Sequence, residues 1–206
     1  MEHTFDDHYW NDIWTGDRAV AMSTSDPNPH LQDETRDLEP GTALDAGCGA
    51  GAEAIWLASR GWTVTGADIS PAALAFAEER AATANLAGQV EWTEADLSSW
   101  EPGTTFDLVT THYAHPAMPQ LEFYDRIAEW VAPGGTLLIV GHLHGHDSPD
   151  EASATATNIT ARFDPAAWEV VTSEESQRTA VGPGGHETVL HDVVVRVVRT
   201  DRPTRE

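Results

Sequence analysis

Residues 44–51 read Leu-Asp-Ala-Gly-Cys-Gly-Ala-Gly, and this stretch decides the fold. An aspartate closes a short apolar run, and glycines follow at positions 47, 49 and 51. Glycine adopts backbone conformations that other residues avoid, so a loop of this kind can pass very close to a ligand. The stretch therefore predicts a buried strand that ends in a ligand-binding turn.

Strand and helix signals alternate from about residue 40 onward, which is typical of a parallel α/β sheet. Five short apolar runs predict the central strands, at residues 42–45, 62–68, 90–96, 106–111 and 136–140. Residues 168–171 and 189–198 predict two final strands that pair as an antiparallel hairpin, with a turn at 182–185. Ser70 and Pro71 predict the cap and first turn of a helix, and a second helix is predicted at 120–131 with a break at 133–135. We expect a Rossmann-like α/β fold with a seven-stranded, mainly parallel sheet, helices on both faces and a C-terminal antiparallel hairpin.

Acidic residues dominate the composition. The chain has 34 aspartates and glutamates against 11 basic residues, all of them arginine, and a formal net charge of −23. Such a field repels phosphate polymers and anionic lipid, so we expect neither a nucleic-acid partner nor a membrane partner. The excess fits either a salt-adapted host or an acidic proteome with no bearing on the site.

One hypothesis for the glycine turn is a dinucleotide site. Gly47, Gly49 and Ala52 fit the G-x-G-x-x-G/A fingerprint, and Asp68 lies about 20 residues on. However, Asp45 stands at the strand tip, where a carboxylate opposes a diphosphate and suits a cationic group. A second acid, Asp96, ends the third strand, and 206 residues leave no room for a separate catalytic domain. A nicotinamide-dependent oxidoreductase therefore remains only the alternative.

The chain resembles the class I S-adenosylmethionine-dependent methyltransferases. Five motifs carry this resemblance, in order and at the family's normal spacing, at residues 44–51, 64–70, 94–97, 106–109 and 132–138. Within the family, the chain looks most like the small bacterial enzymes near the tellurite-resistance and thiopurine-type methyltransferases. The resemblance implies S-adenosylmethionine as cofactor and methyl transfer by direct displacement to a small-molecule acceptor, with a thiol, chalcogen or other heteroatom preferred.

The resemblance also implies roles for three acids. Asp45 would lie near the ammonium group of the cofactor, Asp68 would accept both ribose hydroxyls, and Asp96 would accept from the adenine amino group. Two of these acids have a structural alternative, which is a turn at Asp45 and a helix cap at Asp68. Asp107 and Cys48 are more typical of structural residues.

Apolar and small residues complete the expected cofactor site. Gly47, Gly49 and Gly51 would let the backbone approach the methionine part of the cofactor. Ile69 and Leu97 would pack beside the adenine ring, and Thr111 would line the methyl-transfer site with its neighbour His112.

Histidines follow the fourth and fifth strands, at positions 112, 115, 142, 144 and 146. Histidine is the natural base for an oxygen or nitrogen acceptor, and we name His112 and His142 as the catalytic candidates. A metal site is a second interpretation of the histidines, because imidazole suits zinc, copper or nickel. A third is that they are polar loop residues. We expect no metal, because the family usually works without one.

The N-terminal segment predicts an amphipathic helix whose aromatic face includes Phe5, Tyr9, Trp10 and Trp14. Trp10 or Trp14 could close over the cofactor as a lid, or the face could simply pack on the sheet. We assign Trp14 to the cofactor site and regard Tyr9 and Tyr113 as candidates for the substrate pocket.

The 206 residues suit a single methyltransferase domain. We divide it into a helical cover (1–39), a cofactor-binding core (40–142), a variable segment with the hairpin (143–200) and a tail (201–206). The acidic N-terminus lacks an apolar signal core, so we expect a cytoplasmic protein. For the oligomeric state, we expect a monomer or a homodimer. A cofactor-binding module that has lost catalysis is the non-enzyme alternative.

Overall fold

The computed structural model of the protein describes residues 5–16, 19–143, 154–181 and 187–200. Its helices are α1 (Asp7–Thr15), α2 (Ala19–Ser23), α3 (Pro29–Glu34), α4 (Ala52–Ser59), α5 (Pro71–Thr83), α6 (Gln120–Ala128) and α7 (Ala156–Thr160). Its strands are β1 (Thr42–Ala46), β2 (Thr63–Asp68), β3 (Val90–Glu94), β4 (Phe106–His112), β5 (Val131–His142), β6 (Trp168–Val181) and β7 (Glu187–Arg199).

The strands form a seven-stranded sheet in the order β3-β2-β1-β4-β5-β7-β6. Strands β1 to β5 pair in parallel, whereas β7 lies antiparallel to both β5 and β6. This arrangement confirms the predicted fold, including the C-terminal hairpin. The strand order reverses at β1 and β4, and open α/β sheets bind their ligands outside the carboxyl ends of the strands at this kind of switch point.

Alternate residues of the central strands supply two hydrophobic cores. Leu44 and Val109 face one core, which α6 and α7 cover, while Ala43 and Leu108 face the other, which α3 and α4 cover. All four side chains have no exposed surface. Because successive side chains of a strand point to opposite faces, these two cores confirm that helices pack on both sides of the sheet.

The start of α5 follows the expected capping chemistry. The Ser70 hydroxyl accepts from the Ala73 backbone N–H, and Pro71 occupies the first turn. This cap satisfies an N–H group that would otherwise lack a partner at the helix start. The helix therefore begins directly after β2, which fixes the position of Asp68 at the strand end.

Some boundaries differ from the sequence-based prediction. The pattern predicts a helix from 120 to 131 and a break at 133–135, but α6 ends at Ala128 and β5 already begins at Val131. The pairing of β4 with β5 shifts register between Phe106 and Leu108, which accommodates the extra residues. Pro133 and its two following glycines therefore lie in an irregular strand rather than between two elements.

Several predicted features lie outside the described residues. They are the tail at 201–206, the turn at 182–185, and His144 and His146. Within the ranges that the structure describes, no helix combines the length and the apolar character that crossing a membrane requires.

Candidate active site

A cavity of about 1130 Å³ opens at the carboxyl ends of β1 to β4. Eight residues of the predicted site line it: Trp14, Gly47, Gly49, Asp68, Ile69, Asp96, Leu97 and His112. Four other predicted residues are not among its lining residues, namely Asp45, Gly51, Thr111 and His142. The structure thus brings together the ends of four strands but places part of the predicted set behind the cavity surface.

The glycine turn is held to β2 by backbone hydrogen bonds. The N–H groups of Gly47 and Cys48 both donate to the Ala67 carbonyl, at 2.8 and 3.0 Å. The N–H of Gly49 donates to Asp68 Oδ2 at 2.8 Å. Because both kinds of bond tie the turn to the end of β2, the turn and Asp68 form one unit of the cavity wall.

Two of the glycines are required for different reasons. Gly49 has φ +50°, and a Cβ there would lie 2.9 Å from Trp14 Cζ2. The absence of a side chain at Gly49 therefore leaves room for Trp14 to pack on the loop. Gly51 has φ +74°, and a Cβ there would lie 2.5 Å from the Trp92 ring. Packing against Trp92 therefore explains why a glycine is needed at position 51, and no ligand has to be invoked.

Asp68 already accepts two backbone hydrogen bonds. Its Oδ1 accepts from the Ser70 N–H at 2.9 Å, while its Oδ2 accepts from Gly49. Burial raises the pKa of this carboxyl, and these backbone donors oppose the rise. Each carboxylate oxygen can accept more than one hydrogen bond, so Asp68 keeps acceptor capacity on the cavity side. The carboxylate both holds the turn that leads into α5 and lines the cavity.

Asp96 and its neighbours form the adjacent wall. Asp96 Oδ1 accepts from the Ser98 N–H and hydroxyl, at 2.9 and 2.7 Å. Leu97, which is 6% exposed, follows Asp96 in the cavity lining. Ile69, the first residue after β2, also lines the cavity. This part of the cavity combines apolar side chains with carboxylate acceptors.

Asp45 is a buried carboxyl behind the glycine turn. It is 1% exposed, and its Oδ2 has no hydrogen-bond partner among the described residues. Burial raises the pKa of Asp45 well above its usual range, and repulsion from Glu53 adds to this. A buried acid of this kind is costly to ionise without a cationic partner.

His112 ends β4 and reaches the cavity. Its Nε2 is buried and has no hydrogen-bond partner among the described residues, and Nδ1 lies 3.5 Å from Thr110 Oγ1. Burial lowers the pKa of His112, while the nearby Glu53 carboxylate opposes this shift. The imidazole is therefore neutral at physiological pH.

Two other predicted residues have structural contacts. The Thr111 hydroxyl is buried and donates to the Ala46 carbonyl at 2.8 Å, which ties β4 to β1. The His142 ring stacks on Tyr113, with ring centroids 4.2 Å apart and an interplanar angle of 21°. Their predicted roles at the cofactor and in catalysis stay predictions.

A buried polar cluster beside His112 was missed by the sequence analysis. The Tyr113 hydroxyl accepts from Asn28 Nδ2 at 3.1 Å and Arg178 Nη2 at 2.8 Å, and it donates to Asp192 Oδ1 at 2.9 Å. Arg178 Nε donates to Asp192 Oδ2 at 2.6 Å. We call these four residues the Tyr113 cluster. They are far apart in the chain, so no local pattern could indicate them.

Tyr113 itself adopts an unusual backbone conformation, with φ +57°. Non-glycine residues rarely occupy this region, and they do so where surrounding contacts hold them. Burial raises the pKa of Tyr113 to about 12, so the hydroxyl stays protonated and keeps donating to Asp192. The turn at Tyr113 directs the chain away from β4 immediately after His112.

The N-terminal helix α1 covers the cavity. Trp14 is 6% exposed and meets Gly49, and Trp10 Nε1 donates to the His115 carbonyl at 3.1 Å. Phe5, Trp10 and Trp14 all contribute to the cavity lining, whereas Tyr9 does not. The aromatic face thus both packs on the core and forms part of the cavity wall.

No metal-binding group of three or more His, Cys, Asp or Glu side chains occurs within the part of the chain that the structure describes. Two of the five histidines in the metal interpretation, His144 and His146, lie outside that part. The expectation of a metal-free site stays a prediction. Cys48 is buried with a raised pKa, which fits a packing role rather than a nucleophile.

The strand order, the glycine turn after β1 and the acids after β2 and β3 together define the class I methyltransferase fold. A family model described as "Methyltransferase domain" matches residues 43–135. Residues 43–135 therefore form a methyltransferase domain, and this match confirms the resemblance to the class I S-adenosylmethionine-dependent methyltransferases that the sequence motifs indicate.

Three known proteins illustrate the relationship. "Ribosomal RNA small subunit methyltransferase C" of Alcanivorax borkumensis is 35% identical over 109 residues, which cover 50% of this chain and 33% of that protein. "Probable thiol methyltransferase 2" of Arabidopsis thaliana is 30% identical over 136 residues, covering 63% and 59%. The crystal structure of TehB from Haemophilus influenzae matches with a TM-score of 0.67 at 17% identity, covering 92% and 66%.

The likeness to TehB concerns the fold alone. The matched regions span 33% and 59% of the lengths of the two curated relatives. The matched methyltransferase domain supports S-adenosylmethionine as the cofactor, while the acceptor has to be argued from the cavity.

Proposed function

We propose that this protein transfers a methyl group from S-adenosylmethionine to a heteroatom of a small-molecule acceptor. One observation carries the proposal: Asp68, Asp96 and His112, whose lowered pKa keeps its ring neutral, line the same cavity. The acids suit the hydroxyl and amino groups of the cofactor, and the imidazole suits an acceptor that must lose a proton.

The cavity residues fit the cofactor. Asp68 would hold the ribose hydroxyls and Asp96 the adenine amino group, with Ile69 and Leu97 against the ring. The buried oxygen of Asp45 that lacks a partner marks a place where the ammonium group would be stabilised, directly or through water. Gly47 and Gly49 keep the loop surface free of side chains at the cavity.

Bound S-adenosylmethionine supplies an electrophilic methyl group carried on a sulfonium. The protein has to orient the acceptor, exclude water and remove a proton where the acceptor carries one. His112 Nε2 would accept that proton, since the lowered pKa of His112 keeps the ring neutral. Phe5, Trp10 and Trp14 would exclude water from this end of the cavity.

A thiol, chalcogen or other heteroatom acceptor is the preferred substrate class. The Arabidopsis relative is named as a probable thiol methyltransferase, which supports this choice. The Alcanivorax relative is named for ribosomal RNA, but the net charge of −23 here opposes binding to a phosphate polymer. We further propose that residues 1–206 form one domain that acts as a cytoplasmic monomer or homodimer.

Cofactor binding tests the proposal most directly. We expect Asp68→Asn to weaken S-adenosylhomocysteine binding at least tenfold in calorimetry, because a carboxylate acceptor is replaced by an amide. Asp125→Asn is the matched control, because Asp125 is an exposed carboxylate that pairs with Arg162 away from this cavity. Equal affinities in all three proteins would show that the cofactor site is assigned wrongly.

The same preparation separates the alternatives. A nicotinamide-dependent oxidoreductase would bind NAD and ignore S-adenosylhomocysteine. A module without catalysis would bind S-adenosylhomocysteine but transfer no methyl group to any member of a panel of thiols, oxyanions and phenols. Transfer to at least one member is the result that we expect.

A further inference from the structure

Arg178 of β6 lines the same cavity as His112. It reaches the cavity through the Tyr113 cluster, and Tyr113 follows His112 directly in the chain. A guanidinium is therefore present in the cavity that His112 lines, where neither the family motifs nor the cofactor site requires one.

The chain has no lysine, so arginine side chains are its permanently charged donors. Two described arginines line this cavity, Arg80 and Arg178. Arg80 donates to the carbonyls of Ser25 and Ala50, at 2.8 and 3.3 Å, and so joins the N-terminal cover to the glycine turn. Among the described arginines that line the cavity, Arg178 is therefore the one without this structural role, and it is the candidate to bind an anionic group of the acceptor.

The Tyr113 cluster fixes the guanidinium in one position. Nε donates to Asp192 Oδ2 and Nη2 donates to the Tyr113 hydroxyl, while Nη1 makes no hydrogen bond with any described residue. Asp192 has no exposed side-chain surface, whereas the Arg178 side chain is 26% exposed. The acid is thus buried in the protein, and the accessible member of the ion pair is the donor.

We propose that Arg178 binds a carboxylate or similar anionic group on the methyl acceptor, while His112 accepts the proton of the heteroatom that is methylated. This inference rests on the proposed methyltransferase function and narrows its substrate class. Arginine suits this task because its planar guanidinium matches a carboxylate and its geometry is held in advance. The aromatic rings of Phe5 and Trp10 in the same cavity favour a planar body between the two polar groups.

A purely structural role for Arg178 is the competing explanation, since the cluster joins β6 and β7 to the loop after β4. The two explanations differ in what they predict for ligands. A structural role affects every ligand of the cavity alike, whereas an anion contact affects only ligands that carry the anionic group.

The test uses two thiols of similar shape, 4-mercaptobenzoate and 4-methylbenzenethiol. Their binding is measured by calorimetry to the complex of the protein with S-adenosylhomocysteine, which cannot transfer a methyl group. We expect the wild type to prefer 4-mercaptobenzoate, and Arg178→Gln to weaken its binding roughly ten- to hundredfold, as for loss of a charge-assisted hydrogen bond. Binding of 4-methylbenzenethiol should change less than threefold.

Arg162→Gln is the control variant, because Arg162 forms an exposed ion pair with Asp125 away from this cavity. Arg178→Lys keeps the charge and should recover part of the lost affinity. A wild type that shows no preference for the carboxylate, or an equal loss for both thiols in Arg178→Gln, overturns the inference. If the wild type does not bind S-adenosylhomocysteine at all, that result would instead contradict the proposed function.

Discussion

Burial gives His112 the properties of a base. An ordinary histidine is half protonated near pH 6.5, whereas the pKa of His112 is lowered by desolvation and only partly restored by Glu53. A lowered pKa keeps the imidazole neutral further into the acidic range. Its Nε2 has no partner among the described residues, so proton acceptance does not require breaking an existing hydrogen bond.

We predict that His112→Asn lowers kcat about a hundredfold or more for an acceptor that must lose a proton, the usual range for a general base. In the wild type, kcat/KM should fall as the pH drops through the lowered pKa of His112, because the ring then becomes protonated. The variant should lose this acidic limb. Steady-state rates between pH 5 and 9 measure both effects.

The control for this variant is His8→Asn, because His8 is an exposed residue of α1 whose ring pairs with the helical neighbour Asp12. S-adenosylhomocysteine affinity should be equal in the wild type and in both variants. An unchanged acidic limb in His112→Asn would show that another group removes the proton.

At the scale of elements, α1 and the glycine turn depend on each other. Gly49 has a positive φ, and Trp14 occupies the space that a Cβ would need. We predict that Gly49→Ala weakens S-adenosylhomocysteine binding at least tenfold, because Trp14 has to move out of the cavity wall. It should also lower stability by about 1–2 kcal/mol through the strained φ and the lost packing.

Gly103→Ala separates these two causes. Gly103 has φ +69°, but nothing lies within 4 Å of an added Cβ. It should therefore lose stability through backbone strain and bind S-adenosylhomocysteine normally. Equal binding in Gly49→Ala and Gly103→Ala would mean that the position of α1 does not matter to the cofactor. Calorimetry and thermal unfolding give the two quantities.

Local signals in the sequence predicted most elements, because each depends on neighbouring residues. The Ser70–Pro71 start of α5 is an example, since cap and first turn are adjacent in the chain. The start of β5 was predicted wrongly, because Pro133 and its glycines resemble a break. The register shift against β4 that accommodates them depends on a strand far away in sequence.

The candidate site shows the same division between local and distant information. The glycine turn and Asp68 could be predicted because strand ends meet at one edge of a parallel sheet. The Tyr113 cluster could not, because its members come from α3, the loop after β4, β6 and β7, and 65 residues separate Arg178 from Tyr113. Only the folded arrangement brings that guanidinium into the same cavity as His112.

At the scale of the whole molecule, the charges of the side chains are strongly unbalanced. The net charge is −23, and the described arginines that pair with carboxylates can neutralise only a few of the 34 acids. Repulsion between like charges destabilises a compact state, and salt screens it. The Debye length falls from about 30 Å at 0.01 M salt to about 3 Å at 1 M.

We predict that NaCl raises the melting temperature of this protein, steeply below about 0.3 M and only weakly above, since screening is largely complete once the Debye length is shorter than the charge spacing. Thermal unfolding at pH 7 across a NaCl series measures this. The shape of the curve matters, because salts that act by exclusion from the surface stabilise in proportion to concentration without reaching a plateau. A melting temperature that is constant or falls with NaCl would show that local ion pairs, which salt weakens, outweigh the repulsion among the acids.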